Sequence, residues 1–253
     1  MSYPDSQQLC KMNLVIDQGN TAVKLGLFDG DQLILKAVFL NDEQGFAQPW
    51  LQSNVTEPVN VIVCSVVAAE FELSAIPALS FFRLDTSINL PLKNNYKTPE
   101  TLGKDRLSNA VGAWKNNPSG NSLVIDLGTC IKYDLVSAKG EYLGGAISPG
   151  LAMRFKALHE FTDQLPLLET TITAEDFGTD TSSSMSAGVK QGIIHEINGF
   201  VARYSQQFND LTIFMTGGDL KYFDKAFKNP IFALPDLTLI GLNEILQHNI
   251  QQK

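Results

Sequence analysis

The chain of 253 residues is 44% hydrophobic and 18% charged, with 19 basic against 27 acidic residues and a net charge of −8. This composition excludes disorder as the main state, and the acidic balance excludes nucleic-acid binding through the overall field. No apolar run approaches the ~18–20 residues of a membrane helix. Three cysteines (Cys10, Cys64, Cys130) and three histidines (His159, His195, His248) have neither pair nor ligand spacing. They argue against a disulfide framework and structural zinc, and for a reducing, cytoplasmic compartment.

Residues 1–11 are polar, lack the apolar core of a signal peptide and read as a loose extension, leaving Met1 and Met12 both open as the start. The first strand then begins an internal repeat. Leu14-Val15-Ile16-Asp17-Gln18-Gly19 is nearly restated as Leu123-Val124-Ile125-Asp126-Leu127-Gly128, an offset of 109 residues from Asp17 to Asp126. Each copy is a β-branched run, Asp-x-Gly, a short polar patch and a returning alternating run (Ala22–Phe28; Ile131–Val136). That pattern predicts two β-hairpins opening two similar α/β halves, residues 1–117 and 118–253.

Further strands are expected at Gln32–Phe39, Val59–Val66 and Phe81–Leu84. A helix follows from about Leu102 to Trp114, stopped by Asn116-Asn117-Pro118-Ser119-Gly120, where the halves divide. The second half predicts helices at Leu151–Phe161, Ser183–Phe208 and Leu237–Ile250. A buried strand Leu211–Met215 ends in Thr216-Gly217-Gly218-Asp219. The run Gly144–Gly150 reads as a glycine turn.

Neither GxxxxGK[ST] nor GxGxxG occurs, so a phosphate site needs another basis. The first hairpin supplies one in Asp17-Gln18-Gly19-Asn20-Thr21-Ala22-Val23-Lys24. Gly19 permits close backbone approach, Asn20 and Thr21 offer donors, Lys24 neutralises phosphate, and Asp17 is a hard oxygen partner for Mg²⁺. A surface hairpin with a solvated lysine has the same pattern. The second cluster, Tyr96 to Arg106, leads into the first turn of a helix. Asp105 there is either a carboxylate stabilising the helix start or a group that orients or deprotonates a hydroxyl. Arg106 suits a small acid's carboxylate, and Asn109 shares a helix face with Asp105.

Taken together in order, these motifs resemble the type III pantothenate kinases of the acetate and sugar kinase, Hsp70 and actin superfamily, from Met12 to about Leu246. The pattern Asp-x-Gly-Asn-Thr-x-x-Lys stands as Asp17, Gly19, Asn20, Thr21 and Lys24. Tyr-x-x-Pro…Gly-x-Asp-Arg stands as Tyr96, Pro99, Gly103, Asp105 and Arg106. The second Asp-x-Gly-Thr is Asp126, Gly128 and Thr129, and Gly-Gly-x-Ile-x-Pro-Gly is Gly144–Gly150.

The resemblance implies two actin-like (ribonuclease H-like) domains with a nucleotide cleft between them, and ATP-dependent phosphorylation of pantothenate towards coenzyme A. It implies Mg²⁺ with ATP, a monovalent cation (K⁺ or NH₄⁺) and a homodimer. It makes Asp105 the general base, with Tyr96, Gly103, Lys104, Arg106 and Thr181 at pantothenate, Thr181 reaching the partner subunit's site. Asp126 resembles the monovalent-cation aspartate and Thr129 an ATP contact.

The chain departs from the family after Thr129, where Cys130-Ile131-Lys132 replaces small or hydroxylated residues. Lys132 either supplies part of the cation's charge or points to solvent. A non-catalytic regulator on the same fold, or a kinase for another small hydroxy acid, are the alternative readings.

Overall fold

An apolar run such as Leu14-Val15-Ile16 suits a strand covered on both faces, and Asn13–Gln18 (β1) is buried along its whole length. The computed structural model describes residues 12–67, 76–170, 176–223, 227 and 231–252. The expected extension at residues 1–11, with Cys10, lies outside them.

From β1 the chain turns back antiparallel as Ala22–Asp29 (β2) and again as Gln32–Leu40 (β3). Helix Ala47–Asn54 (α1) follows, burying only Ala47 and Leu51, one turn apart. So short an apolar pattern explains why the sequence did not announce it. Val59–Ser65 (β4) then runs parallel to β1, and Ala78–Arg83 (β5) parallel to β4. The first sheet is ordered β3-β2-β1-β4-β5.

The short strand Lys93–Asn94 (β6) and helix Lys104–Asn116 (α2) precede the second copy. There Ser122–Leu127 (β7), Cys130–Ser137 (β8) and Glu141–Pro149 (β9) form an antiparallel meander. Helices Leu151–Glu160 (α3) and Thr181–Gln207 (α4) lead to Thr212–Thr216 (β10), parallel to β7, and Ile231–Ala233 (β11), parallel to β10. Helix Leu237–Gln251 (α5) ends the described chain's regular structure. Read from β9, the second sheet is ordered β9-β8-β7-β10-β11, with β6 added beside β9. The sequence repeat is therefore a repeat of topology, and even burial repeats: β7 is buried throughout like β1.

The glycine run at Gly144–Gly150 is a correction. It is not a turn: residues through Pro149 lie in β9. Gly144 sits at φ 103 beside a register shift between Leu135 and Val136. A Cβ on Gly145 would lie 1.6 Å from the Tyr133 carbonyl oxygen. A bulge and a close backbone approach thus require glycines inside a strand.

Compactness divides the chain differently from the 1–117 and 118–253 halves. One unit holds the described residues of Met1–Pro91 with Gly103–Ser108 and Thr238–Lys253; the other holds Leu92–Leu102 and Asn109–Leu237. In the first, Leu14, Ile16, Val23 and Leu25 pack with Ala47 and Leu51 of α1. Helix α5 joins this unit through Asn13 Nδ2, which donates to Asn243 Oδ1 at 2.9 Å. In the second, Leu123, Ile125 and Leu127 pack against Leu151 and Phe155 of α3 and against Val189, Ile193 and Ile197 of α4. Val124, alternating with them, packs with Ala113 of α2, so β7 is sandwiched between helical layers.

Candidate active site

In the first unit the hairpin closes over three residues, Gly19 to Thr21, with the Gly19 amide donating to the Ala22 carbonyl at 2.9 Å. That amide is committed to the turn, so the donors the tip could offer a phosphate are the side chains of Asn20 and Thr21, both exposed. Asp17 and Lys24 are direct cross-strand partners, with Lys24 Nζ 3.9 Å from Asp17 Oδ2. Asp17 is buried, and so is Gln18, whose Oε1 lacks a hydrogen-bond partner among the described residues. Lys24 is partly exposed rather than a fully solvated lysine.

The first turn of α2 brings Asp105 into the same unit. Asp105 Oδ1 accepts a hydrogen bond from the Arg106 amide at 2.9 Å, and Arg106 itself is buried. Lys104 precedes them, and its carbonyl accepts from Ser108 Oγ at 2.8 Å. Cys64 on β4 is the register partner of Asp17 and wholly buried. Burial, then the charges of Asp17 and Asp105, push its thiol well above the ordinary range. Asp17 and Asp105 therefore belong to one compact unit, with Cys64 buried beside Asp17.

In the second unit the equivalent hairpin is tighter, with a turn of only Gly128 and Thr129. Asp126 again faces a lysine across the strands, here Lys132, at 2.8 Å from Nζ to Oδ2. Asn109 Nδ2 donates to the same Oδ2 at 3.2 Å. The sequence reading gave Asn109 to a small acid beside Asp105; the structure commits it to Asp126.

Two glycine loops converge on this hairpin. Gly150 donates its amide to the Thr129 carbonyl, and a Cβ on it would lie 2.1 Å from the Gly128 carbonyl oxygen. Gly217, at φ 101, passes so near that a Cβ would lie 2.2 Å from the Leu127 carbonyl oxygen and 2.6 Å from Asp126 Oδ1. The Asp219 amide donates to the Leu127 carbonyl at 2.9 Å. Burial and then the charge of Asp126 raise the Asp219 carboxyl, against Lys221.

Elsewhere in the second unit, Tyr96 lies 6.0 Å from Tyr142, ring to ring, over Gly144. Thr181 opens α4 but does not cap it. Asp180 is the cap, accepting from the Ser183 amide at 2.8 Å while Ser183 Oγ accepts from the Asp180 amide. The sequence reading missed the pairing of Lys132 with Asp126. The signal was available, because the same strand–turn–strand arithmetic that opposes Asp17 to Lys24 opposes Asp126 to Lys132 once the turn loses one residue.

Two units of one topology, each closing on an Asp-x-Gly hairpin, define an actin-like fold. Solved structures share this fold. A protein of the Baf family from Campylobacter jejuni has a TM-score of 0.62 at 20% identity, over 94% of this chain and 99% of that one. A glucokinase from an Antarctic psychrotroph has a TM-score of 0.51 at 12% identity, over 94% and 99%. Residues 13–203 match the type III pantothenate kinases. The type III pantothenate kinase of Christiangramia forsetii is 43% identical over 245 residues, 95% of this chain and 100% of its own length. The chain belongs to the type III pantothenate kinase family.

Proposed function

We propose that this chain transfers the γ-phosphoryl group of ATP to the primary hydroxyl of pantothenate, giving 4'-phosphopantothenate in the first step of coenzyme A biosynthesis. The observation that carries the reading is that one compact unit holds Asp17 at the phosphate hairpin and Asp105 in the first turn of α2. A hard oxygen for the metal–nucleotide and a hydroxyl-directed carboxylate are thus carried by one unit.

Phosphoryl transfer through a loose transition state asks chiefly for positioning and charge neutralisation. Asp105 orients the pantothenate hydroxyl and takes its proton, and Arg106 holds the pantothenate carboxylate. Gly103, Lys104, Tyr96 and Thr181 complete the contacts with pantothenate. Asn20, Thr21 and Lys24 bind the phosphates from the first hairpin, and Thr129 contacts ATP from the second.

The residues fit Mg²⁺: Asp17 offers a buried carboxylate at the phosphate hairpin, and Mg²⁺ takes one or two carboxylates, with phosphates and waters filling the rest. When bound it neutralises charge on the β- and γ-phosphates. The monovalent cation that the resemblance assigns to Asp126 is a different matter. The Lys132 ammonium already stands 2.8 Å from that carboxylate, so the residues do not fit a second cation there.

We further propose a homodimer. Its support is a groove of about 660 Å³ between α3 and α4, lined by Leu158, Phe161, Met185 and Val189, with Phe161 84% exposed. Among the described residues no helix is long and apolar enough to cross a membrane, and the cysteine usage supports a cytoplasmic setting. We take 1–117 and 118–253 as the two copies of the duplicated domain, with α5 packed in the first unit and the end of α2 in the second.

The test is a coupled ATP assay with pantothenate and identification of the product by mass spectrometry. Stoichiometric 4'-phosphopantothenate supports the reading. ATP binding without turnover would favour a regulator, and turnover only with another hydroxy acid a different kinase.

A further inference from the structure

The two hairpins invite comparison residue by residue. Each places an aspartate at the end of a buried strand and a lysine directly across from it. In the first unit the pair is loose, at 3.9 Å, with the lysine side chain 30% exposed. In the second it is a tight ion pair at 2.8 Å, with Lys132 15% and Asp126 12% exposed. That distance is in the range of a charge-assisted hydrogen bond. Asn109 donates to the same oxygen from α2, and the Gly217 backbone closes on the other oxygen.

A free monovalent cation at Asp126 would be drawn by an uncompensated carboxylate. Here the carboxylate is compensated by a fixed ammonium, and another unit charge a few ångströms away would meet repulsion in a largely buried site. An ammonium is itself a monovalent cation of the same charge, attached to the chain by its side-chain stem. Lys132 also stands where Lys24, the phosphate-side lysine, stands in the first copy. It follows Thr129 on the returning strand, and the Thr129 turn is braced by Gly150.

We propose that Lys132 is a tethered cation. Its ammonium, held by Asp126 and Asn109, faces the polyphosphate of the nucleotide at the second hairpin, so this chain needs no dissociable K⁺ or NH₄⁺. The proposal rests on the kinase reading and adds to it a residue and an ion requirement.

The experiment uses the purified full chain in chloride salts of K⁺, NH₄⁺, Na⁺ and choline at one ionic strength. It measures both pantothenate turnover and Mg–ADP affinity by calorimetry. The expected result is turnover and affinity within twofold across the four salts. Lys132→Met keeps most of the stem and removes the charge. It is expected to weaken Mg–ADP binding at least tenfold in choline and to regain much of it in K⁺ or NH₄⁺. Lys132→Arg keeps a charge and is expected to remain indifferent to the salt.

Wild-type protein activated tenfold or more by K⁺ over choline would overturn the proposal while leaving the kinase reading intact. So would a Lys132→Met protein with wild-type ADP affinity in choline, which would make the pair a structural one. Absence of pantothenate turnover in every salt would sink the kinase reading, and the ADP titrations would still decide the role of Lys132. Should Lys132→Met fail to fold, the wild-type salt series and Lys132→Arg decide it.

Discussion

A Cβ on Gly103 would lie 2.6 Å from Oδ1 of Asp105. The glycine thus leaves the space into which the Asp105 carboxylate folds, and Asp105 is held there by the Arg106 amide. Gly103→Ala meets only a movable side-chain oxygen, so melting should change little. Turnover should fall by about 10²-fold, because the carboxylate is displaced from its working position. Thermal melts with steady-state kinetics check this; wild-type turnover in the alanine variant would show that the carboxylate's position is not critical.

Asp105→Asn keeps the shape and removes the proton acceptor. Turnover should drop by ~10²–10⁴, the usual range for a positioned acid–base group, while pantothenate still binds through Arg106 and Tyr96. Asp17→Asn should instead raise the Mg²⁺ concentration needed for half-maximal rate. Magnesium titrations of both variants separate the roles. Identical titration curves for the two would refute the division of labour.

Thr181 and Asp180 are neighbours with opposite expected behaviour. Asp180 caps α4, so Asp180→Ala should lower the melting temperature. Thr181 is not the cap, so Thr181→Ala should leave melting unchanged and raise the KM for pantothenate. A stability loss in Thr181→Ala with an ordinary KM would return the threonine to a structural role.

Glu196 accepts hydrogen bonds from Tyr133 at 2.8 Å, from Ser148 and from Arg154. Burial works to raise its carboxyl, but these bonds and the Arg154 charge hold it below the ordinary value. A depressed folded-state pKa contributes stability above the unfolded value, about 4.3 for glutamate, and the contribution disappears as pH falls through the folded value. The melting-temperature gap between wild type and Glu196→Gln should therefore be full above pH ~5 and narrow below pH ~4. A gap that persists unchanged at low pH would remove Glu196 from the acid limb.

The hairpins were legible in the sequence because strand periodicity and Asp-x-Gly chemistry are local. So were α4, whose Met185, Val189, Ile193 and Ile197 recur every four residues, and α2, which starts two residues later than expected. The Gly144–Gly150 run was misread because residues that favour turns also serve where a strand bulges or a backbone passes close by. The partner of Asn109 was out of reach for another reason. Its contact with Asp126 spans 17 residues between a helix and a strand, which no local pattern encodes. The attachment of α5 to the first unit is of the same kind: Asn13 and Asn243 lie 230 residues apart.

That attachment bears on the order in which the chain folds as it is made. Buried Leu239, Leu242, Ile245 and Leu246 of α5 belong to the unit whose strands are synthesised first. The other unit has all of its residues by Leu237. On the ribosome the later-made unit can close while the earlier one still exposes the surface α5 will cover, around Gly26 and Asn13. The amino-terminal sheet is made before the second unit, yet its α5-facing surface is covered only once residues beyond Leu237 have been made.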